Sequence, residues 1–311
     1  MEDDPLLNQF LSESTARDVD RRVARVLRDL GDDEPPLRLE SVRELLRLDR
    51  AFYSTTEEGV LRETVHRLKV AGRQVIARPT LLLDVVRRRG LKALWLPDEK
   101  RILLDSDLPK IKHRWNEAHE IIHGLLPWHD NVTHGDPSQT LALSCHLQLE
   151  AEANYGAGRL LFLGDRFREH VTASALSFQQ IKALVKAFGN SMTATLWRAV
   201  EALDVPALGL VSAHPWEWTN EADESVRYFI RSRTFASEFD GIAASAVFKV
   251  LPKYCRNGKG PLGEAEIRIT DSNGRRHAFH FETFYNGHEA LTLGVHRRIE
   301  VRNQTSAAAV T

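Results

Sequence analysis

The spacing His119-Glu120-Ile121-Ile122-His123 constrains this chain more than any other feature, because it makes chemical sense on a helix. Positions four apart on a helix differ by about 40° in direction, so both imidazoles reach one point beside the same face. Glu120 points in a neighbouring direction, where it can hold a water next to a metal ion without being a ligand itself. The flanks agree. Residues 109–126 carry a helical pattern that Pro127 closes, and Ile121, Ile122, Leu125 and Leu126 can bury the rest of that helix.

A catalytic zinc site takes three protein ligands and keeps a fourth position open for water. The third ligand is expected downstream, where Leu149-Glu150-Ala151-Glu152-Ala153-Asn154 lies within a long helix predicted from about 139 to 162. Glu150 and Asn154 are four apart and share a face, so Glu150 can bind the metal while Asn154 orients a ligating imidazole from behind. Glu152 lies about 200° round the helix from Glu150, so the two carboxylates cannot face one metal together. The other histidines, His113, His129, His134 and His146 among them, read as surface residues. One of these, or Tyr155, is the candidate for stabilising an oxyanion. Two plainer readings stand beside this one. The pair could be core or surface histidines with a solvated Glu between them, or the metal could serve structure or sensing without hydrolysis.

The rest of the chain divides by character. Residues 16–30 place Val19, Val23, Val26 and Leu27 at helical spacing, and Gly31 to Pro36 break the pattern. Further helices are expected over about 39–49 and 59–90. Ala93 to Pro97 and Arg101 to Leu104 flank a polar turn and read as a strand pair. Residues 127–138 read as a polar loop. Residues 178–201 read as two helices meeting at Gly189-Asn190, a helix-turn-helix shape by length and turn. After Val205-Pro206 the short runs Leu208 to Val211, Ala246 to Val250 and Ala265 to Ile269 are strand-like. Asn273-Gly274 and Asn286-Gly287 each sit between candidate strands, a strong hairpin signal. The expected class is therefore α+β: a mainly helical part with a small sheet, then a sheet-rich part. The expected division is a helical extension over 1–54, the metal-motif domain over 55–165, the helical pair over 166–204, a sheet-rich domain over 205–302 and a disordered tail over 303–311.

Composition narrows the partners. The formal net charge of −1 over 311 residues offers no basic field for nucleic acid. Local runs such as Arg21-Arg22 and Arg87-Arg88-Arg89 read as solvated helix faces. The two cysteines, Cys145 and Cys255, make neither a disulfide framework nor a zinc ribbon. The acidic Met1-Glu2-Asp3-Asp4 is unlike a signal peptide, and no run approaches the ~18 apolar residues of a membrane span. A cytoplasmic protein without a membrane partner is expected.

With these residues in place, the sequence resembles the ImmA/IrrE family of zinc metallopeptidases. The family pattern is A-H-E-x-x-H on one helix, then E-x-x-A-N-x-F-A-x-x-L-L on a second. Here these are Ala118 to His123 and Glu150-Ala151-Glu152-Ala153-Asn154-Tyr155-Gly156-Ala157-Gly158-Arg159-Leu160-Leu161. Gly156 replaces the usual Phe, and the Met-Pro that often follows the Leu pair is missing; both departures concern packing. The strand pair ending near Leu104 looks like the family's entry to its site. Phe188-Gly189-Asn190-Ser191 with Leu196-Trp197-Arg198 looks like its helical hairpin, so the likeness spans about residues 55–201.

The resemblance implies one Zn²⁺ on His119, His123 and Glu150, although another divalent metal can compete for such ligands. It also implies Glu120 as general base, and as substrate a partner transcriptional repressor in a stress or mobile-element response. Residues 206–301 could be a GAF-like sensor for a small-molecule or protein signal, as in the family's radiation-response members. The rival expectation is a DNA-binding or metal-sensing regulator without peptidase activity. Its helix Ser191 to Glu201 carries one basic residue, Arg198, which is few for reading DNA, so direct nucleic-acid binding is not expected.

Overall fold

A computed structural model describes residues 6–31, 34–53, 93–96, 100–129, 143–217, 225–297 and 308–310. The helix expected over 59–90, most of the loop expected over 127–138 and His134 lie outside the described residues. The chain forms two compact units, Leu11–Gly164 and a second built of Met1–Phe10 with Asp165–Thr311. The class is α+β, with helices dominating the first unit and a broad sheet the second.

In the unit Leu11–Gly164, the helix Glu13–Leu30 buries Val19, Val23 and Val26, and Ser12 caps it by accepting from the Thr15 N–H. The next helix, Leu39–Leu46, is shorter than its periodicity predicts. Arg47 turns left-handed at φ 55° and returns its N–H to Arg43 and Glu44. The chain then enters β2 (Asp49–Tyr53), a strand the local pattern does not announce. Its partner is remote: β2 runs parallel to β4 (Arg101–Asp105), which also pairs antiparallel with β3 (Ala93–Leu96). Central β4 buries Ile102, Leu103 and Leu104, as a middle strand covered on both faces must.

Two helices complete this unit, Lys110–Leu125 with the histidine pair and Leu143–Leu161 with Glu150. Both bury small or branched residues: Ala118, Ile121 and Ile122 on the first, Ala153, Ala157 and Leu160 on the second. At Gly156 the approach is close: a Cβ there would lie 2.7 Å from Ile122 Cγ2, so the isoleucine would have to shift. The Phe that the family pattern carries at this position has no room here.

The second unit is a seven-stranded sheet in the order β1-β6-β5-β9-β8-β7-β10. The strands are β1 (Leu6–Leu7), β5 (Ala207–Ser212), β6 (Val226–Arg231), β7 (Gly260–Thr270), β8 (Arg276–Tyr285), β9 (Ala290–His296) and β10 (Ala308–Val310). Strands β7, β8 and β9 form a meander through the two Asn-Gly turns. At the second turn, Asn286 Oδ1 accepts from the N–H groups of His288 and Glu289. The edge strand β1 lies parallel to β6. Asn8 extends that pairing with its side chain, accepting from the Arg231 N–H and donating to the Arg231 carbonyl, each at 2.9 Å. Phe229, Phe235, Phe239 and Phe279 are fully buried beneath the sheet, with Phe235 and Phe239 stacked at 5.0 Å between centroids.

Two expectations fail in this unit. Ala246 to Val250 belongs largely to a helix, Ala244–Phe248, not a strand. A five-residue apolar run carries no period, and burial of Ala244, Val247 and Phe248 in the core decides its form. The tail expected to be disordered supplies β10, which runs parallel to β7 through backbone pairing that no side-chain pattern advertises. The helices Phe178–Phe188 and Met192–Ala202 do form as the sequence suggests, each capped by a serine side chain. No residue of the second is exposed.

Gly-to-Ala in a helix interior normally gains about 1 kcal/mol. Gly156→Ala is expected to lose stability instead, by about 1–3 kcal/mol from overpacking, as read by urea denaturation. Combined with Ile122→Ala, the two changes should together cost less than the sum of the singles, the signature of one shared contact.

Candidate metal centre

The helix Lys110–Leu125 positions the histidine pair by what it buries opposite them. Ile121 and Ile122 are fully buried, and this fixes the rotation of the helix. Its Glu117, also buried, is held by Arg43 at 2.6 Å and by Arg50 at 2.8 Å. The site's three donors then meet. His119 Nε2 lies 3.2 Å from Glu150 Oε2, His123 Nε2 lies 3.6 Å from Glu150 Oε1, and the two Nε2 atoms are 3.1 Å apart. One ligand atom from each residue falls within 4.8 Å of the others, so His119, His123 and Glu150 form a group that could hold a metal ion.

The donor set suits a metal in a further respect. Two imidazole nitrogens at 3.1 Å cannot both present lone pairs comfortably without a proton or cation between them. Each ring is also engaged at its other nitrogen. His119 Nδ1 lies 3.2 Å from Asn154 Oδ1, and His123 Nδ1 lies 2.8 Å from His129 Nδ1. The Asn154 contact requires the His119 hydrogen on Nδ1, which leaves Nε2 free to ligate. Asn154 thus sits where the shared helix face with Glu150 places it.

Without a metal, these groups share charge unevenly. Burial works against a charged His119, but the hydrogen bond to Glu150 and the charges of Glu120 and Glu150 outweigh it and raise its pKa. Burial lowers that of His123, with the neighbouring His119 and His129 adding to the effect. Burial disfavours ionised Glu150, yet hydrogen bonds from both imidazoles bring its carboxyl well below the usual range. Glu120 is pushed up to about 7, chiefly by burial and further by the charge of Glu150, with a backbone hydrogen bond from Trp95 and the charge of His119 opposing. The Trp95 ring packs against the same helix. A Cβ at Gly124 would lie 2.8 Å from the indole.

Two of the oxyanion candidates have other partners: Tyr155 donates its hydroxyl to Asp20, and the His113 ring lies 5.6 Å from Phe52. The residues that the sequence underrates are His129 and Glu152. His129, expected at the surface, is 4% exposed, and Glu152 is 2% exposed. His129 Nε2 lies 3.1 Å from Glu152 Oε2, and that carboxylate also accepts from Trp128 Nε1 at 2.6 Å and Gln148 Nε2 at 3.0 Å. Burial disfavours its charge, but these three hydrogen bonds lower its pKa overall. The available signal was Glu152's position about 200° from Glu150, which aims it at the backs of the metal-facing groups.

Two measurements test the site. Plasma mass spectrometry of purified protein should find about one zinc per chain, and none in His119→Ala, His123→Ala or Glu150→Ala. In the metal-free folded chain burial pushes the Glu120 carboxyl up to about 7, against an ordinary value of 4.5 when unfolded. Its contribution to stability is therefore full below 4.5 and lost as pH rises through 7. Metal-free Glu120→Gln should match wild type near pH 4 and exceed it at pH 8, by on the order of 3 kcal/mol at most, in denaturant titrations at both pH values.

No protein-family model matches the chain, and no curated protein does. Among solved structures, a Mycobacterium tuberculosis transcriptional regulator is similar in fold, with a TM-score of 0.51 at 14% sequence identity. The match covers 90% of this chain and 76% of that one.

Proposed function

We propose that this chain is a zinc-dependent peptidase, with the metal on His119, His123 and Glu150 and with Glu120 as general base. One observation carries the reading: two imidazole Nε2 atoms and a carboxylate converge while the back of each ring is already engaged. Zn²⁺ on such ligands supplies Lewis acidity to a water and to a carbonyl, bringing the water's pKa to about 7. The chain itself supplies proton movement and orientation. Glu120 takes a proton from the attacking water as its oxygen bonds to the carbonyl carbon. It then gives that proton to the amine nitrogen as the C–N bond breaks. Without a metal, burial already pushes Glu120 up to about 7, suited to both roles near neutral pH.

The resemblance to ImmA/IrrE metallopeptidases supports a protein substrate, specifically a partner repressor. In this reading the unit that holds β5 to β9 receives the activating signal. A metal-sensing regulator without peptidase activity is the second reading, favoured by the structural neighbour, a transcriptional regulator. Direct DNA reading by the helix Met192–Ala202 has less support. None of its residues is exposed, and Arg198 is paired with Glu201 at 2.7 Å.

Glu120→Gln separates the two readings. The peptidase reading expects unchanged metal content and a loss of at least about 10²-fold in metal-dependent cleavage of a repressor or peptide library. Cleavage that survives in Glu120→Gln ends the assignment of the base. Metal-dependent DNA binding by a wild-type chain that cleaves nothing favours the regulator.

A further inference from the structure

We infer that His129 and Glu152 are positioning residues that hold the His123 ring with its Nε2 toward the metal. The inference rests on the metal-binding reading of His119, His123 and Glu150, and is independent of the reaction proposed there.

The argument is one of donors and acceptors. If His123 keeps its Nε2 lone pair for a metal, its hydrogen sits on Nδ1. The atom 2.8 Å away is His129 Nδ1, which can accept that hydrogen only if its own is on Nε2. His129 Nε2 in turn lies 3.1 Å from Glu152 Oε2, and a carboxylate accepts. With both imidazoles neutral, a single assignment of hydrogens satisfies all three groups, and it is the one that frees the metal-side nitrogen. The chain ends firmly. Glu152 is fixed by Trp128 and Gln148 as well, and both it and His129 are buried, so water competes little for these bonds.

The two ligands are thus braced differently. Behind His119 stands Asn154, a neutral amide on an exposed residue. Behind His123 stands a buried imidazole backed by a carboxylate. A carboxylate at the end of such a chain raises the basicity of the ligating nitrogen and fixes the ring. The same cluster also ties the helical residues 127–129 to the helix Leu143–Leu161, so the test must separate orientation from mere adhesion.

Asparagine at 129 offers an oxygen close to where His129 Nδ1 lies but cannot reach Glu152, whereas phenylalanine fills the space and accepts nothing. Zinc affinity of the full chain is measured by competition with a chromophoric chelator, and ligand geometry by the visible spectrum of the cobalt-substituted protein. His129→Phe should lose about 10–100-fold in zinc affinity and shift the cobalt bands, while His129→Asn, which restores the acceptor but not the link to Glu152, should recover part of both. Unchanged affinity and spectrum in His129→Phe, or equal losses in the two variants, would overturn the inference. A third readout needs neither variant nor metal: long-range ¹H–¹⁵N spectra of metal-free wild type should place the His129 hydrogen on Nε2, and a hydrogen on Nδ1 refutes it. Zinc binding absent from wild type faults the metal centre and this inference with it. The expected order of affinities in a chain that cleaves no peptide supports the inference and faults the reaction alone.

Discussion

The candidate metal centre depends on how closely two helices can approach. Its donor groups come from both, two imidazoles from Lys110–Leu125 and one carboxylate from Leu143–Leu161. The distance from Glu150 to the histidines is therefore a distance between helix axes. Gly156, whose missing side chain lets Ile122 of the other helix come close, helps to set it. Ridges of larger side chains would keep such a pair ~8–10 Å apart or more. Packing geometry and coordination geometry are one quantity in this unit, and a change of a single methyl group acts on both.

The helix that carries the histidines also buries two carboxylates by opposite means. Glu117 lies against two guanidinium groups, so its charge is compensated where it is. Glu120, three residues on, has a backbone N–H and the partial help of His119, with the charge of Glu150 against it. Burial then pushes it toward the neutral acid. One segment thus holds a structural anion and a group poised to exchange a proton, and the difference lies in what surrounds each.

Much of this was legible in the sequence, and the reason is local. The histidine pair and the Glu150/Asn154 pair are both fixed by helical periodicity, so their faces follow from spacing alone. The Asn-Gly hairpins were equally readable, because the turn is encoded by the residues that make it. What escaped depends on distant partners. Strand β2 exists because β4 lies beside it. The helix Ala244–Phe248 is chosen by core packing, and β10 by an open backbone edge on β7. His129 reads as an isolated polar residue after Trp128, and its burial becomes visible only with the second helix in place.

The parallel pairing of β1 with β6 makes the two units unequal in their dependence on the chain. Leu11–Gly164 is one uninterrupted stretch, whereas the sheet unit is assembled from both sides of it. Topologically the unit with the histidine pair is an insertion between the first strand of a sheet and the remainder. A fragment beginning at Asp165 would lack Leu6, Leu7 and Asn8, and the edge of β6 around Phe229 and Arg231 would present open hydrogen-bonding groups to any passing strand. Modular dissection of this protein is therefore lopsided: the inserted unit can be excised as a continuous piece, whereas its host needs its first ten residues rejoined by a linker.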